Sequence, residues 1–272
     1  MGGIEKKKIW TGIIIVPPLI LLIVWGPSFI LPLVLLAATL LGLREFYRLA
    51  LPESKGVERF VGIGLGMMLT VLASCGQPGT ASLSVVFVLL VLSVLFMGTS
   101  QDLALAIAHL GISLFGVLYI GFLLSHVAMI QALPDGKQWA LFLISTVWAG
   151  DTCALVSGLL FGKHKLYPKI SPKKTYEGLI GGVLGSILVA FVFGSLFLPE
   201  TGKPALALLA AGIGILGQFG DFSESMIKRS AQVKDSGNLI PGHGGMLDRL
   251  DSFLFSSPVL YYSLIYIVKE TP

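Results

Sequence analysis

Apolar runs of about twenty residues recur along the whole chain, and a helix of that length crosses the roughly 30 Å hydrocarbon core of a bilayer. Hydrophobic residues make up 54% of the 272 positions and charged residues only 12%, whereas about a quarter of an ordinary soluble domain is charged. This repetition constrains the fold more than any other feature. The sequence therefore predicts an all-α, polytopic integral membrane protein.

Nine transmembrane helices are expected, with eight or ten as open alternatives. Pro17 and Pro18 interrupt the first run, and the long run from Leu103 to Leu133 could include an interfacial helix before its crossing. Because no small-residue cleavage site follows the first run, we interpret it as an uncleaved signal anchor. The candidate spans are residues 10–25, 28–43, 60–75, 82–98, 106–131, 139–161, 178–198, 204–222 and 251–268.

Lysine and arginine in the connecting segments predict the orientation. If the amino terminus is cytoplasmic, all but Lys137, Lys203 and Lys269 of the 19 basic residues lie on the cytoplasmic side. The polar loops 162–177 and 223–250 then share that face. Positive-inside topology also accounts for most of the net charge of +4, which is therefore no sign of nucleic-acid binding. The two cysteines, Cys75 and Cys153, lie in apolar runs and indicate neither a disulfide framework nor a zinc site.

Acidic residues cluster where two predicted spans meet the cytoplasmic side. In "GDFSESMIKRS", a helix would place Asp221, Ser225 and Lys228 on one face with Glu224 beside them, as a salt-bridge ladder or as part of a site. In "LDRLD", Asp248 and Asp251 share the first turn of the last span, where one acid could simply cap the helix. Two acids at the edge of the hydrocarbon favour a functional site.

Asp151 lies deeper, roughly 16 Å along its helix from Gly162. It either hydrogen-bonds a neighbouring helix or lines a polar cavity that opens to the cytoplasm. The loop "GKHKLYPKISPKKTYEG" is rich in lysine, which is explained equally by contact with lipid headgroups and by phosphate binding. Its segment 171–175 is typical of a turn that leads into a helix capped by Thr175 or a neighbour, and such a helix start suits a phosphate.

These features together indicate chemistry on phosphates. Mg²⁺ typically takes one or two carboxylates together with substrate phosphates, and nearby lysines and arginines would balance a polyphosphate. Small residues at four-residue spacing, such as Gly181 with Gly185 and Gly182 with Ser186, favour helix packing. The composition of the carboxyl-terminal half is that of a metal-assisted phosphoryl or nucleotidyl transfer site.

The segment from Ser225 to Asp251 resembles the signature of the phosphatidate cytidylyltransferases, also called CDP-diacylglycerol synthases. The upstream segment from Ala149 to Gly178 is similar to that family's second characteristic region, and the rest of the chain matches only as membrane spans. The residues that carry the signature are Ser225, Ile227, Lys228, Arg229, Lys234, Asp235, Gly237, Ile240, Pro241, His243, Gly244, Gly245, Met246, Asp248, Arg249, Leu250 and Asp251.

The resemblance implies transfer of CMP from CTP to phosphatidic acid, with Mg²⁺ required and a second cation as an open alternative. The chain is expected to divide into amino-terminal transmembrane helices, 1–137, and a catalytic transmembrane region, 138–272, that bears the two cytoplasmic loops. Expected catalytic residues are Asp221, Lys228, Arg229, Asp248 and Arg249, and expected metal ligands are Asp221, Asp248 and Asp251. Expected substrate-binding residues are Lys173, Lys174, Ser225, Lys234, His243, Gly244, Gly245 and Asp151.

Membrane lipids are the further expected partners, together with a second copy of the chain in a homodimer; nucleic acid is not expected. The expected location is the inner, cytoplasmic membrane, with the active site facing the cytoplasm. Because a phosphomonoester has a second pKa of about 6, the attacking oxygen needs no strong base, and His243 is favoured as a loop or phosphate ligand. A CTP-dependent lipid-alcohol kinase and an ion-coupled transporter remain as alternatives.

Overall fold

The computed structural model describes residue 18 and residues 20–74, 80–239 and 244–268. The elements in chain order are α1 (Ile30–Ala50), α2 (Gly56–Ser74), α3 (Thr80–Thr99), α4 (Leu103–Gly116), a π-helical turn (Val117–Phe122), α5 (Leu123–Gln131), α6 (Gly136–Phe161), β1 (Lys165–Tyr167), β2 (Ser171–Thr175), α7 (Tyr176–Phe197), α8 (Lys203–Ser230), α9 (Leu247–Ser263) and a second π-helical turn (Leu264–Val268). The predicted all-α class is confirmed.

Among the described residues, eight helices are long and apolar enough to cross a membrane. The π-helical turn at Val117–Phe122 joins α4 and α5 into one such helix, Leu103–Gln131. These eight helices coincide with the eight spans predicted from residue 28 onward. The first predicted span, 10–25, lies mostly outside the described residues, of which 20–25 are helical. The prediction of a multi-pass membrane protein is therefore confirmed.

The described chain separates into two compact units. The first comprises Met1–Ala132 and Ser230–Leu250, and the second comprises Leu133–Arg229 and Asp251–Pro272. The predicted division at residue 137 concerns function and stays a prediction.

In the first unit, apolar side chains of α2, α3 and the π-helical turn form a core that includes Leu69, Leu92 and Val117. Polar side chains tie the ends of these helices together. Glu58 on α2 is buried, and its carboxylate accepts hydrogen bonds from Lys55 at 2.9 Å and from Thr99 at the end of α3 at 2.8 Å. Buried polar groups of this kind are stable only because they are paired.

In the second unit, α6 and α7 lie with their backbones in close contact. A Cβ atom at Gly181 would lie 2.0 Å from Ser157 Oγ, and one at Gly185 would lie 2.4 Å from Cys153 Sγ. Ser186 Oγ donates a hydrogen bond to the Thr146 carbonyl at 3.1 Å. The predicted role of the small residues in helix packing is confirmed.

The two predicted polar loops contain more regular structure than expected. Loop 162–177 holds an antiparallel hairpin of β1 and β2, so the segment 171–175 is a strand instead of the expected turn. Thr175 does cap α7, since its Oγ1 accepts a hydrogen bond from Gly178 N at 3.1 Å. The first residues of loop 223–250 are helical, because α8 continues to Ser230.

Candidate active site

A cluster of three carboxylates lies in the second unit. Asp221 and Glu224 project from α8 and Asp251 from α9, and one oxygen of each lies within 4.8 Å of the others. The i, i+3 spacing places Asp221 and Glu224 on the same face of their helix. Glu224 is fully buried and the two aspartates are half-buried. We call these three residues the carboxylate cluster.

Glycine allows the two helices to approach closely enough to form this cluster. A Cβ atom at Gly220, next to Asp221, would lie 2.3 Å from the carbonyl oxygen of Asp251. Further along, a Cβ atom at Gly217 would lie 2.9 Å from Ser256 Oγ, which donates to the Ile213 carbonyl at 3.0 Å. Small residues on both helices thus hold Asp251 directly against α8.

Cationic side chains lie against the carboxylate cluster. Lys174 Nζ is 2.6 Å from Asp221 Oδ2, and Lys228 Nζ is 2.5 Å from Glu224 Oε2. The Lys174 ammonium also lies over the Phe222 ring, 4.2 Å from its centre. Ser225 Oγ donates to Asp221 Oδ1 at 3.3 Å, which confirms the expected arrangement of these side chains along one helix face.

The oxygen spacing of the carboxylate cluster fits a small divalent cation. Mg²⁺ binds oxygen at about 2.1 Å in octahedral geometry, so its ligands lie roughly 3 to 4 Å from one another. Three carboxylates from two helices, with ligand atoms all within 4.8 Å, can converge on such an ion after small side-chain adjustments. Carboxylate oxygen is also the donor type that Mg²⁺ prefers.

Asp151 on α6 is joined to this cluster through Ser252. Ser252 Oγ lies 3.4 Å from Asp151 Oδ1, and Ser252 N donates to Asp251 Oδ1 at 2.7 Å. Of the two alternatives for Asp151, the hydrogen bond to another helix is therefore present. The residue is nonetheless exposed, and its expected role in substrate binding stays a prediction.

The hairpin places basic residues beside the end of α8. Arg229 Nε donates to the Ile170 carbonyl at 3.4 Å. Lys173 is exposed on β2, next to Lys174. At the base of the hairpin, Glu177 accepts a hydrogen bond from Lys163 N at 3.1 Å and lies 2.7 Å from His164 Nδ1. The hairpin thus carries lysines to the α8 end that bears Asp221.

An apolar groove of about 450 Å³ lies between the hairpin and α8. Its walls come from the hairpin, from the start of α7 and from α8, and Phe222 is shared between this groove and the Lys174 contact. The lining residues are Leu166, Tyr167, Ile170, Tyr176, Leu179, Gln218, Phe219 and Phe222. An apolar space therefore adjoins the charged cluster.

The segment 231–246 between α8 and α9, here named the glycine-rich loop, belongs to the first unit. Asp248 Oδ2 accepts hydrogen bonds from Ser236 N at 2.9 Å, Ser236 Oγ at 2.8 Å and Gly245 N at 2.8 Å. Gly244 has φ +82, a left-handed conformation that glycine adopts without strain. Lys234 and Arg249 are exposed. His243 lies outside the described residues.

The sequence-predicted residues therefore fall into two groups. Asp221 and Asp251 come together with Ser225, Lys228 and Lys174, whereas Asp248, in the first turn of α9, accepts hydrogen bonds from the glycine-rich loop that contains Gly244 and Gly245. The assignment of Asp248 to the same metal stays a prediction.

Two further acids were not among the expected site residues, although Glu224 was expected beside Asp221 on the helix. Glu224 completes the carboxylate cluster, and its i, i+3 spacing from Asp221 was a signal that could have revealed it. Glu45 on α1 accepts hydrogen bonds from the glycine-rich loop, which no local pattern predicts.

The chain is similar to known proteins over nearly its whole length. The profile of the Cytidylyltransferase family matches residues 6–267. The Phosphatidate cytidylyltransferase of Bacillus subtilis is 30% identical over 266 residues, which cover 95% of this chain and 97% of that protein. The protein of the same name from Staphylococcus epidermidis is 43% identical over 152 residues, 56% of this chain, and the alignment spans 58% of that relative's length. An uncharacterized Escherichia coli protein is 43% identical over 150 residues, 53% of this chain and 50% of that protein.

Proposed function

This chain belongs to the cytidylyltransferase family, and from that premise we propose that it transfers CMP from CTP to phosphatidic acid, giving CDP-diacylglycerol and pyrophosphate. The observation that carries the proposal is the carboxylate cluster with Lys174 and Lys228 against it. A reaction between two polyanions needs such a combination of cation ligands and ammonium groups. The names of the Bacillus and Staphylococcus relatives give the substrate class.

In this reaction a phosphate oxygen of phosphatidic acid attacks the α-phosphorus of CTP. The new P–O bond forms as the bond to the β-phosphate oxygen breaks, and pyrophosphate leaves. Since the second pKa of a phosphomonoester is about 6, the attacking oxygen is largely ionised at neutral pH. The protein therefore has to bring two polyanions into line and stabilise the leaving group, instead of removing a proton.

We assign Asp221, Glu224 and Asp251 to holding a Mg²⁺ ion, whose charge would neutralise the phosphates when it is bound. The spacing of their oxygens supports this assignment. Asp248 and a second cation stay predictions for the same chemistry. Binding of a divalent ion would compete with the ammonium groups for the same oxygens of Asp221 and Glu224.

Lys174 and Lys228 would then contact the phosphates. Each ammonium sits on a flexible stem and already lies within 2.6 Å of a carboxylate of the cluster. A short movement would bring either one from the carboxylate to a phosphate held beside it. We propose that other basic and loop residues also contact the substrate phosphates, namely Lys173, Arg229, Lys234, Arg249, His243, Gly244 and Gly245. Ser225 and Asp151 would complete the polar lining of the substrate site.

The apolar groove suits the acyl part of the lipid substrate. Phe222 lines the groove and its ring contacts Lys174. When the phosphate of a lipid lies at the carboxylate cluster, the acyl chains of that lipid would therefore lie beside the apolar walls of the groove. This arrangement matches a molecule with a charged head and long apolar chains. We propose that phosphatidic acid enters from the membrane at this groove.

We further propose that the site faces the cytoplasm from the inner membrane, where CTP is available. The exposed lysines of the hairpin and the basic residues of α8 support that orientation through the positive-inside rule. A homodimer stays an open alternative to a single copy of the chain.

Purified protein in micelles tests this function with CTP, Mg²⁺ and either phosphatidic acid or diacylglycerol as acceptor. We expect pyrophosphate release only with phosphatidic acid. CDP release with diacylglycerol would instead identify a lipid-alcohol kinase. Solute flux in liposomes without CTP turnover would identify a transporter.

A further inference from the structure

Glu45, on the first described transmembrane helix, is bonded to the glycine-rich loop almost two hundred residues later in the chain. Its Oε2 accepts hydrogen bonds from Ser236 Oγ at 2.9 Å and from Leu247 N at 2.9 Å, and its Oε1 accepts one from Met246 N at 2.9 Å. All of these residues belong to the first unit. One carboxylate thus binds both sides of the loop.

Two of these donors are backbone amides at the start of α9. Leu247 is the first residue of that helix and Met246 precedes it. Amides at a helix start have no partner within the helix and favour a negative charge. Glu45 therefore caps α9 from a distant helix, and charge-assisted hydrogen bonds of this kind are stronger than neutral ones.

Ser236 links Glu45 to Asp248. Its hydroxyl lies 2.9 Å from Glu45 Oε2 and 2.8 Å from Asp248 Oδ2, and its backbone N–H donates to the same Asp248 oxygen. Because a hydroxyl carries one hydrogen, the carboxylates of Glu45 and Asp248 share the hydrogen of the Ser236 hydroxyl. Ser236 is 4% exposed, so water does not replace it readily. A movement of Glu45 would therefore change the hydrogen bonds that orient Asp248.

The loop has no spare room around the Glu45 carboxylate. A Cβ atom at Gly237 would lie 2.8 Å from Glu45 Oε1, and one at Gly245 would lie 2.3 Å from Oε2. The two glycines let the loop backbone approach the carboxylate on both sides. This close fit indicates that the described loop residues pack specifically against the Glu45 carboxylate.

We propose that Glu45 is a positioning residue, which fixes the glycine-rich loop and, through Ser236, orients the Asp248 carboxylate for cytidylyl transfer. The inference rests on the proposed function for its effect on catalysis. Its structural half, that Glu45 holds the start of α9, does not depend on any activity.

Glu45→Gln tests the proposal because glutamine keeps the size but replaces one acceptor oxygen with a donor that faces other donors. Loss of a partner that orients a functional carboxylate typically costs about 10- to 100-fold in activity, and we expect kcat for CMP transfer to fall by that factor. Amide hydrogen exchange at Met246 and Leu247 should become faster. Glu45→Asp, which is one methylene too short, should restore little of either.

Glu58→Gln is the matched control. Glu58 is also a buried carboxylate of the first unit that accepts two hydrogen bonds, but its partners are Lys55 and Thr99, outside the loop. It should lower Tm at least as much as Glu45→Gln while leaving kcat and the exchange of Met246 and Leu247 unchanged. If Glu58→Gln lowers kcat equally, the effect of Glu45 reflects general stability and the proposal is wrong.

Ser236→Ala removes the hydroxyl that links the two carboxylates, and serves as the smaller change if Glu45→Gln folds poorly. If Glu45 acts through Ser236, the double variant should lose no more kcat than the worse single variant. The proposal is wrong if the kcat losses of the two single variants multiply in the double variant, or if Glu45→Gln keeps the wild-type kcat. Failure of the proposed function is recognisable separately, since wild-type protein would then lack CTP turnover while the exchange result still holds.

Discussion

Lys174 Nζ lies 2.6 Å from Asp221 Oδ2, so strand β2 and helix α8 meet at a carboxylate of the proposed metal site. The same ammonium also packs over the ring of Phe222, and the Lys174 nitrogen lies 4.2 Å from the ring centre. The hairpin therefore contacts the carboxylate cluster, although it lies well before α8 in the chain. We propose that lysines of this hairpin contact the substrate phosphates and do not serve only for membrane orientation.

The carboxylates provide the first prediction. Asp221→Asn and Asp248→Asn should each lower kcat on the order of 100-fold. A neutral amide cannot replace a carboxylate that holds the metal ion, and the ion stabilises the transition state by several kcal/mol. Each loss of about 1.36 kcal/mol lowers the rate tenfold. Glu224→Gln should raise the Mg²⁺ concentration needed for half-maximal rate. Steady-state rates across a Mg²⁺ titration measure both effects.

Glu53→Gln is the control for these variants, since Glu53 is an exposed carboxylate outside the cluster. It should keep wild-type rates. Near-normal activity of both asparagine variants in Mg²⁺ would refute the assignment of these two aspartates.

Helix contact provides the second prediction. Gly220→Ala would place a Cβ atom 2.3 Å from the Asp251 carbonyl oxygen, which is backbone and cannot move aside cheaply. We expect a loss of about 1–3 kcal/mol in the free energy of unfolding, as for other overpacked sites, together with a loss of turnover. Gly212→Ala on the same helix meets only Val259 at 3.4 Å and should be tolerated. Equal Tm values for the two variants would contradict the close approach of α8 and α9.

Arg249 provides the third prediction. A planar guanidinium can hold a phosphate through two parallel hydrogen bonds, which lysine cannot reproduce. Arg249→Lys should therefore lose much of its kcat although it keeps the charge. Arg48→Lys, at an exposed arginine on α1, should change nothing. A wild-type rate for Arg249→Lys at saturating CTP and lipid would reduce Arg249 to a residue that only orients the chain in the membrane.

The spans and two members of the carboxylate cluster were predictable because their signals are local. A helix repeats every 3.6 residues and must be about twenty residues long to cross a bilayer, so hydropathy alone locates the eight spanning helices. It did not locate all of their ends, since α1 continues to Ala50 and α8 to Ser230, whereas the predicted spans end at residues 43 and 222. The same periodicity placed Asp221, Ser225 and Lys228 on one face, which agrees with the hydrogen bond from Ser225 to Asp221 and the ion pair of Lys228 with Glu224 on α8.

The remaining features depend on contacts between distant segments. Glu45 carries no local sign of its role, because its partners Ser236 and Leu247 lie far away in sequence. The β-hairpin was missed because Pro172 and the lysines around it are typical of a turn, whereas pairing of Lys165 with Thr175 makes a strand. Packing against a neighbour overrides local preference at such positions.

Membrane orientation provides the fourth prediction. Arg229 Nε contacts the Ile170 carbonyl in the hairpin that bears Lys173, so both side chains must lie on the same side of the membrane. Single cysteines at positions 173 and 229, in a background without Cys75 and Cys153, should react with an impermeant reagent only from the cytoplasm. A cysteine at Lys203 should react only from the opposite side. Labelling of positions 173 and 229 from opposite sides would contradict the contact between Arg229 and the hairpin.

The fate of the CTP phosphates tests cytidylyl transfer most directly. Purified protein would be given phosphatidic acid, Mg²⁺ and CTP labelled either at the α-phosphate or at the γ-phosphate. We expect the α-label in the lipid extract as CDP-diacylglycerol and the γ-label in water as pyrophosphate, with the rate of both lowered on the order of 100-fold in Asp221→Asn. The proposed function would be contradicted if the γ-label appeared in the lipid. It would also be contradicted if neither labelled CTP gave any labelled lipid.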